Sequence, residues 1–107
     1  AVDKILQSDP IPTAIIGGSY DISGGIVRAL QEREISIPEE MSIVSYDNIP
    51  QMETMEVPMT CVGVPVNEIA REIVSSIIDL IEEKEEDAWI KKLTPVLTVR
   101  ESTAFNK

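Results

Sequence analysis

Apolar residues along this chain alternate between short unbroken runs and longer stretches that repeat every three or four positions. TAIIG, residues 13–17, is a short run and reads as a buried strand, with GGSY, residues 17–20, as the turn after it. A helix is expected from about Asp21 to Arg33, where Ile22, Ile26, Val27 and Leu30 share one face and Arg28, Gln31 and Glu32 the other. ISIPEE is a loop, MSIVSYD a second strand, and NIPQMETMEV a short helix or turn. MTCVGV is a third strand, closed by Pro65. The clearest helix runs from about Asn67, its expected N-cap, to Glu83. Ile69, Ala70, Ile73, Val74, Ile77, Ile78 and Ile81 form its apolar side, and Glu68, Arg71, Glu72, Ser75, Ser76 and Asp79 its polar side. Residues 1–7 read as the last turns of a helix that SDPIP breaks, and VLTVR after Pro95 reads as a last strand. Strands alternating with helices predict an α/β fold, a parallel sheet with flanking helices.

Composition narrows the function more than the fold. The 107 residues fit one domain, and 43% hydrophobic content is ample for a core. The chain carries 19 acids against 9 bases, a formal charge of −10, and such a surface repels a phosphate backbone. No apolar stretch is long enough to span a membrane, and Asp3 and Lys4 stand where a secretory signal would need apolar residues. The chain does not open on Met, which reads as a processed product or a piece of something longer. Cys61 is the one cysteine, so no disulfide forms within the chain, and its expected role is that of a small buried hydrophobe. Histidine is absent, which removes the commonest general base and the commonest metal ligand. The acidic stretch EEKEED, residues 82–87, reads as a solvated loop, and Trp89 after it as a packing lid. Met52, Met55 and Met59 are expected as core or interface filler.

The candidate chemistry sits at strand ends. Glycines 17, 18, 24 and 25 match neither dinucleotide nor Walker spacing and predict a tight strand-to-helix turn. Ser19, Tyr20 and Asp21 lie above one strand end at a helix N-terminus, and Asp47 ends the next strand. A carboxylate there accepts hydrogen bonds from neighbouring hydroxyls, which suits a sugar or a ribose, and Tyr20 offers an apolar ring face. Capping of the following turn is the competing role for Asp47. A phosphoacceptor would need a second acidic cluster and a strand-end lysine, and neither is present. No nucleophile has a plausible base, so an enzyme is not expected, nor are a cofactor or a metal.

The segment SIPEEMSIVSYDNIPQMETMEVPMTCVGVPVNEIA resembles the effector-binding region of the lac repressor and galactose repressor family of bacterial transcription regulators. PTAIIGGSYDISGGIVRAL upstream and LTVRESTA downstream resemble further family motifs, in order and at matching spacing. The resemblance implies the C-terminal part of a two-lobed, periplasmic-binding-protein-like type I fold with a ligand cleft between lobes. It implies that residues 1–64 and 95–107 belong mainly to the C-terminal lobe and residues 65–90 to a helix of the N-terminal lobe. Asp47 matches the family's ligand-binding strand-end Asp. Ser19, Tyr20 and Asp21 fall beside the cleft, and Ile22, Ile26, Ile49, Met52 and Met55 on surfaces used for dimerisation. The implied partners are a carbohydrate effector, a second copy in a homodimer, and operator DNA through an N-terminal domain absent here; the implied location is the cytoplasm. A periplasmic sugar-binding protein for transport is the alternative. Three residues depart from the family pattern: Val64 replaces a cleft Gln, Ser45 a strand Gly, and Glu34 a helix-ending Gly.

Overall fold

The computed structural model of the chain describes residues 1–82 and 90–105. Trp89 and most of the acidic stretch expected as a loop lie outside the described residues. In order, the elements are α1 (Val2–Leu6), β1 (Ala14–Gly17), α2 (Tyr20–Gln31), β2 (Ser42–Asn48), α3 (Gln51–Thr54), β3 (Thr60–Pro65), α4 (Val66–Ile81) and β4 (Val96–Thr98). They build one four-stranded sheet in the order β1-β2-β3-β4. The first three strands are parallel, as the alternation predicts, but β4 pairs antiparallel with β3, Val96 opposite Gly63 and Thr98 opposite Cys61. The chain leaves β3 at the sheet's carboxyl end and re-enters at that same end, so the returning strand must run backwards.

Both long helices begin earlier than the sequence suggests. Ser19 caps α2 by accepting from the Ile22 N–H at 3.3 Å, so Tyr20 and Asp21 form its first turn. Asn67 does not cap α4: it is the second residue of the helix, and Pro65 takes the cap position without a side-chain bond. The proline ring presets φ for helix entry, which starts the turn sooner. At the far end of α2, the Ile35 N–H reaches Leu30 O and the Glu34 N–H reaches Gln31 O, both at 3.0 Å. These are the two bonds of a Schellman motif, which needs a left-handed residue, and Glu34 supplies it with φ 56°.

One face of the sheet carries the core. Ile15, Ile43 and Cys61 point to that side and pack with Val27 and Leu30 of α2 and with Val2, Met41, Met52 and Met59. Cys61 is fully buried and free, in the role expected of it. Gly17 lets α2 come close, because a Cβ there would stand 2.1 Å from Ser23 Oγ. The opposite face is open: Ile16 is 77% exposed, and Tyr46 and Leu97 are more than half exposed. Parallel sheets are normally covered on both faces. Helix α4 has no buried residue, although its aliphatic stripe is as regular as predicted. The radius of gyration is 18.1 Å, against about 13 Å for a compact domain of this length.

The closing segment ties the amino ends of the strands. Ser102 is fully buried; its Oγ donates to Ile43 O at 2.6 Å and accepts from the Thr60 N–H at 2.8 Å. The Ile43 N–H reaches Ser102 O at 2.8 Å, and the hydroxyls of Thr60 and Thr103 lie 2.8 Å apart. RESTA therefore plugs the gap where β2 and β3 start, at the end opposite Asp47.

Candidate functional site

The register aligns Gly17 of β1 with Ser45 of β2, so Ser19 and Asp47 each lie two residues past a matched pair at the sheet's carboxyl end. A buried bond joins these two strand ends: Ser23 Oγ, on α2, donates to Ser45 Oγ at 2.7 Å. Ser45 Oγ also lies 3.4 Å from Ser19 O, and 3.0 Å from Tyr46 O. Ser45 thus fixes the end of β2 against the start of α2, which gives a physical role to one departure from the family pattern.

Asp47 is the second of two non-glycine residues with positive φ among the described residues, at 74°. The β2–β3 ladder is irregular here, with Tyr46 opposite Val62 and Asn48 opposite Pro65. This bulge turns the Asp47 backbone toward β3, and Gly63 makes room for it. A Cβ on Gly63 would stand 2.9 Å from Asp47 Cα and 3.0 Å from Asn48 N. Bulges re-aim side chains next to functional sites, and a left-handed Asp is disfavoured unless its surroundings impose it. The Asp47 side chain is exposed and has no hydrogen-bond partner among the described residues, so its oxygens are available to a ligand. It is followed by α3, whose cap position is taken by Pro50 without a side-chain bond. The capping alternative therefore gains no contact.

The other expected residues are placed unevenly. Ser19 spends its hydroxyl on capping α2, and Asp21 is exposed in the first turn, where a negative charge suits the helix dipole. Tyr20 is half-buried and packs against the core, so its ring is partly committed; Tyr46, not expected at the site, is the freer aromatic. Of the residues expected at a dimer surface, Ile22 is 56% exposed, while Ile26, Ile49 and Met55 pack against the core. Met52 is a correction: it is 0% exposed and sits inside the core, because α3 folds it under the sheet, so it offers no area to a partner. Among the described residues no cluster of Asp, Glu and Cys is arranged to hold a metal ion.

Residues 1–103 match a family of periplasmic binding protein-like domains. The chain belongs to that family. Over 102 residues it is 31% identical to the HTH-type transcriptional repressor PurR of Vibrio cholerae, an alignment that covers 95% of this chain and 30% of the repressor. The PurR of Pasteurella multocida is 29% identical over 101 residues, again 30% of its length. Among solved structures, a LacI family transcriptional regulator from Enterococcus faecium with bound ribose superposes with a TM-score of 0.83 at 29% identity, covering 95% of this chain and 37% of that one. The Escherichia coli transcriptional repressor ascG gives 0.69 at 26% identity, over 86% of this chain and 34% of that one. The chain thus spans about a third of the length of the relatives it matches, and the family membership agrees with the motifs around Asp47 and in LTVRESTA. The two PurR proteins and ascG are transcriptional repressors and the Enterococcus faecium protein is a transcriptional regulator, in line with a non-enzymatic domain.

Sequence reasoning missed Asn48, Thr98 and Arg100. Arg100 is only 12% exposed on its side chain and bonds four groups: Met59 O at 2.8 Å, Cys61 Sγ at 3.3 Å, Asn48 Oδ1 at 3.3 Å and Glu53 Oε1 at 3.5 Å. The available signal was a basic residue closing an apolar strand in VLTVR, where no surface role was needed.

Proposed function

We propose that this chain is the effector-sensing region of a bacterial transcription regulator, and that Asp47 receives hydroxyl groups of a small sugar or sugar derivative. The observation that carries the reading is the Asp47 backbone, turned left-handed in a bulge that Gly63 accommodates, with its carboxylate free at the carboxyl end of β2. The similarity to a regulator solved with bound ribose supports the ligand class. Residues 1–64 and 95–107 form mainly one lobe and residues 65–90 belong to the other, with the cleft between them. The lack of any buried residue on α4 supports this, since its apolar face does not pack on this sheet. Closure of the lobes on ligand shifts the protein between two states that differ in operator affinity. Operator DNA is contacted by a domain outside this chain, in a cytoplasmic homodimer whose surface includes Ile22.

The test is a D-ribose titration of the full-length protein with and without Asp47→Ala. Losing hydrogen bonds to a charged acceptor, worth about 1.5–3 kcal/mol each, is expected to weaken binding by about tenfold or more. An unchanged titration takes Asp47 out of the site. Sugar binding without any change in DNA affinity favours a transport binding protein of the same fold.

A further inference from the structure

Asn48 follows Asp47 directly, and its side chain is engaged on both sides. Its Nδ2 donates to Thr98 Oγ1 at 3.4 Å, and its Oδ1 accepts from Arg100 Nη2 at 3.3 Å. Its backbone is paired with Pro65, the last residue of β3 and the entry to α4. Thr98 lies on β4, the strand that brings the chain back from the α4 side. The outgoing and returning crossings of the chain therefore meet at Asn48, next to the candidate ligand contact.

Arg100 is anchored independently of Asn48. Its guanidinium donates to Met59 O and Cys61 Sγ at the buried start of β3, and its backbone N–H donates to Thr60 Oγ1 at 2.9 Å. The head group is thus fixed to the sheet through Nη1 and presents Nη2 to Asn48 and Glu53. A planar fork held this way defines a direction as well as a charge. A depression of about 410 Å³ opens beside it, lined by Asn48, Pro50, Glu53, Pro65, Thr98 and Arg100 among others.

We propose that Asn48 and Arg100 form a latch that holds Asp47 in its left-handed conformation and makes Arg100 a positioning residue for the candidate site. Gly63 permits the bulge; the latch selects it. Pro65 bears on the Asn48 backbone and Thr98 on its side chain, so both crossings of the chain meet the latch. The inference rests on the reading of Asp47 as a ligand contact, but its test uses no ligand, so the two fail separately.

The experiment is solution NMR of the full-length protein, reading the one-bond Cα–Hα coupling and the Cα and Cβ shifts of Asp47 as reporters of the sign of φ. Asn48→Ala and Arg100→Met are expected to lose the positive-φ signature at Asp47 while the core resonances stay native. Asn48→Asp keeps an acceptor for Arg100 and is expected to retain the signature. A purely structural role for the pair would lower the unfolding temperature and leave Asp47 left-handed. If the signature persists in Asn48→Ala, or is lost equally in Asn48→Asp, the latch is overturned. Should Arg100→Met fail to fold, the two Asn48 variants decide the matter, since that side chain is only partly buried.

Discussion

Two left-handed residues, Glu34 and Asp47, show how differently the same backbone state can be used. Glu34 closes the Schellman motif after α2 and makes no other use of its conformation, so glycine should do the work better. Replacing a strained L-residue by glycine is worth about 1 kcal/mol, and Glu34→Gly is expected to raise stability by about that amount in urea denaturation. Ser102 is the opposite case, because both capacities of its hydroxyl are spent in a buried place. Ser102→Ala leaves Ile43 O and the Thr60 N–H short of a partner and is expected to cost about 1–3 kcal/mol for each group stranded, measured in the same way. Glu40 accepts from the Ser36 N–H at 2.8 Å and the Ser36 hydroxyl at 2.9 Å, and these bonds hold its carboxyl below the usual range. A lowered folded-state pKa adds stability above the unfolded value and loses it as pH falls through the folded one. Glu40→Gln is therefore expected to lower stability at neutral pH, to change little at low pH where Glu40 is protonated, and so to flatten the acid limb of a stability-against-pH curve.

Among the elements, α4 is the one at odds with its surroundings. Its stripe of Ile69, Ile73, Val74, Ile77 and Ile78 is largely wet, and fully burying one such side chain is worth about 1.5–3 kcal/mol. By itself this chain is expected to self-associate through that face, giving a mass above the monomer in sedimentation equilibrium at high micromolar concentration. The pair Ile73→Glu and Ile77→Glu should return it to monomer; a compact wild-type monomer would contradict the expectation. Elements of this kind were legible in the sequence because their periods are strong: β1, α2, β2, β3 and α4 all lie where the apolar spacing puts them. The direction of β4 was not legible, since three residues of VLT carry no sign of which neighbour they meet. Met52 misled for a related reason. Its spacing fits an interface as well as a core, and only the fold of α3 decides between them. At the site, Asp47 was visible as an acid at a strand end, whereas its bulge depends on Gly63, sixteen residues later, and on the side chain of Asn48.

At the scale of the molecule, the two ends of the sheet serve different purposes. The carboxyl end carries an unpaired acid, a bulge and the chain crossings to α4. The amino end is sealed by RESTA, with Ser102 and Thr103 filling the gap between β2 and β3. That seal has a consequence for the order in which the protein can be made. Synthesis delivers β2 and β3 well before residue 102, so a nascent chain holds a sheet with a buried carbonyl and amide still unanswered at Ile43 and Thr60. The sheet cannot be finished while the closing residues remain inside the ribosome. A chain interrupted just before Arg100 would carry nearly all of its helices and strands and still present an unlocked edge to the chaperones and proteases around it.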